Sequence, residues 1–180
     1  VPPAPATTRG PFSPNVAWPA LEDPAPTLAA IRTATERDAI LELLVTAVNA
    51  VARRVAVFAV RRDAIVGWAC SPQMGDRASV RAARMPLPAV SDSVLAAALT
   101  TDDALLVRIP KDAAHAPLLA ALRSPPSGEV ALVGVRVEGK PVALVLADEL
   151  GDTMTATRRM QDVARAASDA LARLLREKRK

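Results

Sequence analysis

From Thr35 the chain places apolar residues at helical spacing: Ile40, Leu43, Leu44, Ala47, Val48 and Val51 fall on one face. Thr35-Glu36-Arg37-Asp38 resembles a capping box, with Asp where Glu is usual. Leu41 and Val45 widen the apolar face and leave a narrow polar stripe of Glu42, Thr46, Asn49 and Arg53. A helix with that much apolar surface is expected to pack on a sheet and on a second partner. The period then changes to that of strands, at Arg54 to Val60 and Ala64 to Cys70, joined by a turn at Arg61-Arg62-Asp63.

Ser71 to Ala78 reads as a loop, and ASVRAARMPL as a further strand. Ser91 is expected to cap a helix running to about Thr100, followed by a strand from Ala104 to Ile109 and a short helix from Pro117 to Arg123. Val130 to Val137 and Pro141 to Ala147 form a hairpin through Glu138-Gly139, apolar on nearly both faces and so central in a sheet. Asp152 caps a long last helix with a buried seam of Met160, Val163, Ala164, Ala167, Leu171, Leu174 and Leu175. Its other face alternates Arg158, Asp162, Arg165, Asp169 and Arg173. Long helices bracketing strand hairpins predict an α+β fold with an antiparallel central sheet and helices segregated to its faces.

Residues 1–27 have neither period and hold half of the 16 prolines. They read as a flexible linker or arm, with residues 28–180 as the globular domain. Phe12 and Trp18 are the two positions of the arm suited to docking on something. The first residue is Val1 rather than Met, which fits a piece of a longer protein with partner domains upstream.

Composition narrows the chemistry. With 180 residues there is room for one ordinary domain. Two Trp, two Phe and no Tyr leave too few rings for base stacking, and a net charge of +4 is modest for the length, so no specific nucleic acid is expected. RLLREKRK, Arg173 to Lys180, reads as a solvated helix end. No apolar run reaches the roughly 20 residues that a bilayer span needs, and a soluble, cytoplasmic protein is expected. One Cys and one His exclude a disulfide framework and leave no ordinary metal site.

The order of elements, with MPLPAVSDSVLAAALTTDDALLVRIP (Met85 to Pro110) and VALVGVRVEGKPVALVLAD (Val130 to Asp148), resembles a GAF domain over Ala34 to Glu177. The resemblance implies terminal helices on one sheet face, often paired with a second subunit, and a pocket on the opposite face roofed by the middle loops and helices. It also implies a signalling protein in which the domain binds a small molecule, or dimerises and relays a signal to an attached domain.

The residues speak against the family's special chemistries. The cyclic-nucleotide signature lacks its Asn-Lys pair, and Asp148-Glu149 reads as strand-end solvation. Bilin attachment would need a Cys beside a His, whereas Cys70 and His115 lie 45 positions apart. Methionine sulfoxide reduction by a thiol relay would need several Cys. One His and no nucleophile elbow leave hydroxyls without a base, so neither an enzyme nor a cofactor is expected.

Two readings remain. In the first, a non-catalytic regulatory domain forms a homodimer or a protein interaction through Leu41, Val45, Val48, Ala164, Ala167 and Leu171. In the second, a small, mainly apolar or neutral ligand is sensed near Trp68, in a pocket drawn from Val66, Trp68, Cys70, Met74, Met85, Ser91, Ser93 and His115. Period-2 alternation puts Val66, Trp68 and Cys70 on one face.

Overall fold

The computed structural model describes residues 23–179. A helix absent from the expectations above, α1 (Ala25–Thr33), comes first. Its prolines misled the reading: Pro24 and Pro26 lie at the helix start, where an N–H has no intrahelical acceptor to lose. The Asp23 carboxylate accepts from the Ala25 N–H at 3.0 Å. Helix α2 (Arg37–Asn49) follows, entered through extended Glu36 without a side-chain cap, so the Thr35 capping box does not form.

Strands β1 (Ala52–Val60) and β2 (Ala64–Cys70) form the expected hairpin. The stretch expected as one strand divides into α3 (Arg77–Ala82) and a three-residue β3 (Arg84–Pro86). Asp76 starts that helix by accepting from the Ser79 N–H at 2.9 Å. A 3-10 turn at Leu87–Val90 leads to α4 (Val94–Thr100), which is capped by Ser93 and not Ser91. Ser91 donates instead to the Pro88 carbonyl, so its hydroxyl is turned back on the 3-10 turn. Then come β4 (Leu105–Val107), α5 (Ala116–Ala121), β5 (Val130–Val137), β6 (Lys140–Leu150) and α6 (Thr153–Lys178).

The six strands form one sheet in the order β3-β2-β1-β6-β5-β4, each pairing antiparallel. The hairpin at Glu138-Gly139 is a two-residue turn with both φ positive, 51° and 77°, which matches the twist of its flanking strands. Its strands β5 and β6 lie inside the sheet, as their two-sided apolar pattern requires.

One sheet face carries α1, α2 and α6 over Val55, Val57, Val133, Val135, Val145 and Ala147. The opposite face buries Phe58, Ile65, Leu132, Leu144 and Leu146 beneath α4 and the middle loops. The extra apolar surface of α2 is accounted for within the chain. Leu41 and Val48 are 2% and 0% exposed, because α1 and α6 both pack against α2. Among the described residues no helix is long and apolar enough to cross a membrane.

Candidate functional site

The face opposite the terminal helices is where the resemblance implied a pocket, and its methionines are core. Met74 and Met85 are both 0% exposed and pack with Val90, Leu95 and Leu118 as core rather than as walls of a cavity. Two glycines let helices seat directly on the sheet. A Cβ on Gly134 would stand 2.5 Å from the Ala98 carbonyl of α4, and one on Gly67 would stand 1.6 Å from the Val80 carbonyl of α3. The Gly67 N–H also donates to the Ala83 carbonyl at 3.0 Å, tying β2 to the end of α3.

Alternation fails on β2. The β1–β2 register shifts between Val57 and Phe58: Val57 pairs with Ala69 while Phe58 pairs with Gly67, so Trp68 is the extra residue of a bulge. Trp68 consequently packs toward the helical layer, whereas Cys70 turns to the opposite face. Val66, half-buried and paired with Arg84 of β3, stays near the sheet edge. The eight candidates are therefore not one site. Ser93 is a helix cap, Ser91 is exposed, and Trp68 lies across the sheet from Cys70, Met74 and Met85.

Trp68 is held by cations. The Arg37 and Arg81 guanidiniums lie 5.4 and 5.6 Å from its ring centroid, and the Arg81 Nε donates to the Trp68 carbonyl. Its own Nε1 is buried without a partner. The Cys70 thiol contacts the Gly75 carbonyl at 3.5 Å, and burial, helped by the Asp76 charge, pushes it up from the ordinary thiol range. A thiol held protonated is a poor nucleophile.

His115 is 2% exposed and stands at the N-cap of α5. Its backbone N–H donates to Asp112 Oδ1, and its ring Nδ1 lies 2.6 Å from the same oxygen. The His115 hydrogen bonds hold the Asp112 carboxyl below its ordinary range, so Asp112 accepts and Nδ1 carries the proton. The other ring nitrogen, Nε2, is buried with no partner. Among the described residues no group of three His, Cys, Asp or Glu is placed to hold a metal ion.

The sequence reading missed a buried ion pair. Arg54 and Asp148 are register partners on β1 and β6, 5% and 4% exposed, and Nη1 donates to Oδ2 at 2.6 Å. Arg54 Nη2 also donates to the Ser124 carbonyl, and the Glu149 N–H donates to Asp148 Oδ1. Asp148 is thus a structural tie and not a solvated strand end; only Glu149 is exposed. The available signal was a charge whose neighbours two positions away are apolar, Ala52 and Ala56 for Arg54 and Leu146 and Leu150 for Asp148, on two strands that pair.

Two surface clefts lie elsewhere. An apolar groove of about 650 Å³ opens between the start of α2, the end of α6 and the β5–β6 hairpin. A polar cleft of about 350 Å³ gathers Asp102, Arg136, Gln161, Arg165 and Ser168. Neither contains any of the eight pocket candidates.

Antiparallel strand order, terminal helices on one face and short helices over the other agree with solved structures of one fold. The chain has a GAF-like fold. Its likeness to the GAF domain of a phosphoenolpyruvate-protein phosphotransferase from Coxiella burnetii has a TM-score of 0.66 at 11% identity, covering 87% of this chain and 95% of that one. The phycocyanobilin-bound GAF domain of a cyanobacterial phytochrome matches with a TM-score of 0.66 at 13% identity, over 88% and 99%. Free methionine-R-sulfoxide reductase from Neisseria meningitidis, solved with its substrate, matches with a TM-score of 0.60 at 13% identity, over 86% and 89%. No protein-family model and no curated protein matches the sequence. GAF-like folds thus include a chromophore binder and an enzyme, and the choice among roles rests on residues.

Proposed function

We propose that this chain is a non-catalytic regulatory domain of a signalling protein, which works by pairing with a second copy or a partner protein through the outer surface of its helical layer. The observation that carries this reading is the packing of the opposite face. Met74 and Met85 are fully buried there, and Gly134 and Gly67 bring α4 and α3 into backbone contact with the sheet. A single thiol raised by burial and a single imidazole engaged by Asp112 give no relay or acid–base pair.

The interface differs from the sequence candidates. Leu41, Val48, Ala164 and Ala167 are 4% exposed or less within their own subunit and leave a partner almost no surface. Val45 and Leu171 keep part of their surface, and on α2 the residues Glu42, Val45, Thr46 and Asn49 form one outward face. Sedimentation equilibrium should give a dimer for the wild-type chain and a folded monomer for Val45→Glu with Thr46→Arg. A wild-type monomer at high micromolar concentration, or a dimer untouched by both changes, overturns the pairing.

A second reading, a sensor for a small neutral ligand, is favoured by one observation. The buried Nε2 of His115 lacks the hydrogen-bond partner that a bound hydroxyl or amide would supply.

A further inference from the structure

The groove between α2 and α6 contains neither the eight pocket candidates nor Val45. Its apolar wall includes Leu41, Val137, Val142, Leu171, Leu174 and Leu175, and its rim carries Glu36, Arg37, Asp38 and Lys178. The domain itself has no ring to fill it. Of the chain's two Phe and two Trp, Phe58 is 1% exposed in the opposite core and Trp68 is committed to Arg37 and Arg81. The other two, Phe12 and Trp18, precede the described residues.

We propose that the groove is the docking site for the chain's own N-terminal segment, with Trp18, and Phe12 behind it, as the apolar anchors. The reach is sufficient. Residue 23 leads into α1, which packs along α6 and ends at Thr33, two positions before the groove residue Thr35. The nine residues of α1 rise about 13.5 Å at ~1.5 Å each. Five residues from Trp18 to Asp23 span about 17 Å at ~3.3 Å each, enough to run back along the length of α1 to its groove end.

Chemistry favours the same occupant. Six of the first 22 residues are proline, which limits the backbone freedom that docking removes. Docked in this way, the segment is a built-in strap that an outside partner of the groove must displace.

The test uses the whole chain with Trp68→Phe, which leaves Trp18 as the only indole. Its emission should be blue-shifted and shielded several-fold from acrylamide relative to the same chain carrying Leu175→Glu, at every dilution. Arg9-Gly10 is the one tryptic site in the first 22 residues. Cleavage there should be several-fold slower in the unmodified chain than in Leu175→Glu, a readout that does not depend on Trp68→Phe folding. Quenching of Trp18 as complete as in urea, together with tryptic rates equal in the two chains, overturns the proposal. Shielding that vanishes on dilution also overturns it, by assigning the groove to the segment of another copy. Neither result bears on dimerisation through Val45, so the two readings fail separately.

Discussion

Arg54 and Asp148 show how much one register pair can decide. Each is almost fully withdrawn from water, and each has the other as its charged partner at 2.6 Å. Removing one member leaves the other charge buried and unpaired, so Arg54→Met should cost about 3–5 kcal/mol in urea unfolding. Arg54→Met with Asp148→Leu should recover most of that loss, because a well-packed apolar pair is often as stable as the ion pair it replaces. A double variant no more stable than the single would show that the Ser124 and Glu149 backbone bonds dominate instead. Arg54 and Asp148 were legible as charges but not as partners, since 94 positions separate them and only the sheet register joins them.

Elements are positioned by small residues and held at their ends by carboxylates. Gly134 lets α4 approach β5, and Gly134→Ala should cost about 1–3 kcal/mol through overpacking. Gly128→Ala, where a Cβ meets nothing within 4 Å, should shift stability by about 0.5 kcal/mol or less in the same denaturation series. At the helix starts, Asp76 and Asp152 accept from Ser79 and Thr155, and those hydrogen bonds hold both carboxyls below their ordinary range. A folded-state value below the unfolded one means stability that is present above about pH 4 and is lost as pH falls through the folded value. Urea midpoints should therefore fall from pH 5 to pH 3, and Asp152→Asn should flatten that fall. An unchanged slope would show that the cap does not sense its protonation. The Asp152 cap was legible because a carboxylate preceding a long amphipathic run has one local use. Trp68 was not placed correctly, because a bulge depends on the partner strand and leaves no mark on the strand's own alternation.

For the molecule as a whole, two sheet faces carry different burdens. The helical layer covers one face with α1, α2 and α6, and among the described residues Glu42, Val45, Thr46 and Asn49 of α2 keep exposed surface on its outer side. The other face packs against α3, α4 and the loops between them, and the difference between an interaction module and a sensor is measurable. A native mass spectrum should give a dimer of bare mass. Extra mass that leaves on denaturation, and is absent in His115→Ala, would make the ligand reading the right one and give the ligand's mass.

Local patterns in the sequence determined the α+β class, both long hairpins, α2 and α6, and the shortage of reactive groups, because each follows from residues within a turn or a strand of one another. Tertiary structure alone decided which way Trp68 faces, that α1 shields α2, that Asp148 is paired, and that Met74 and Met85 are core. Those outcomes depend on register, on the close approach of helices at Gly67 and Gly134, and on contacts between segments distant in the chain. No periodicity along a single segment encodes them.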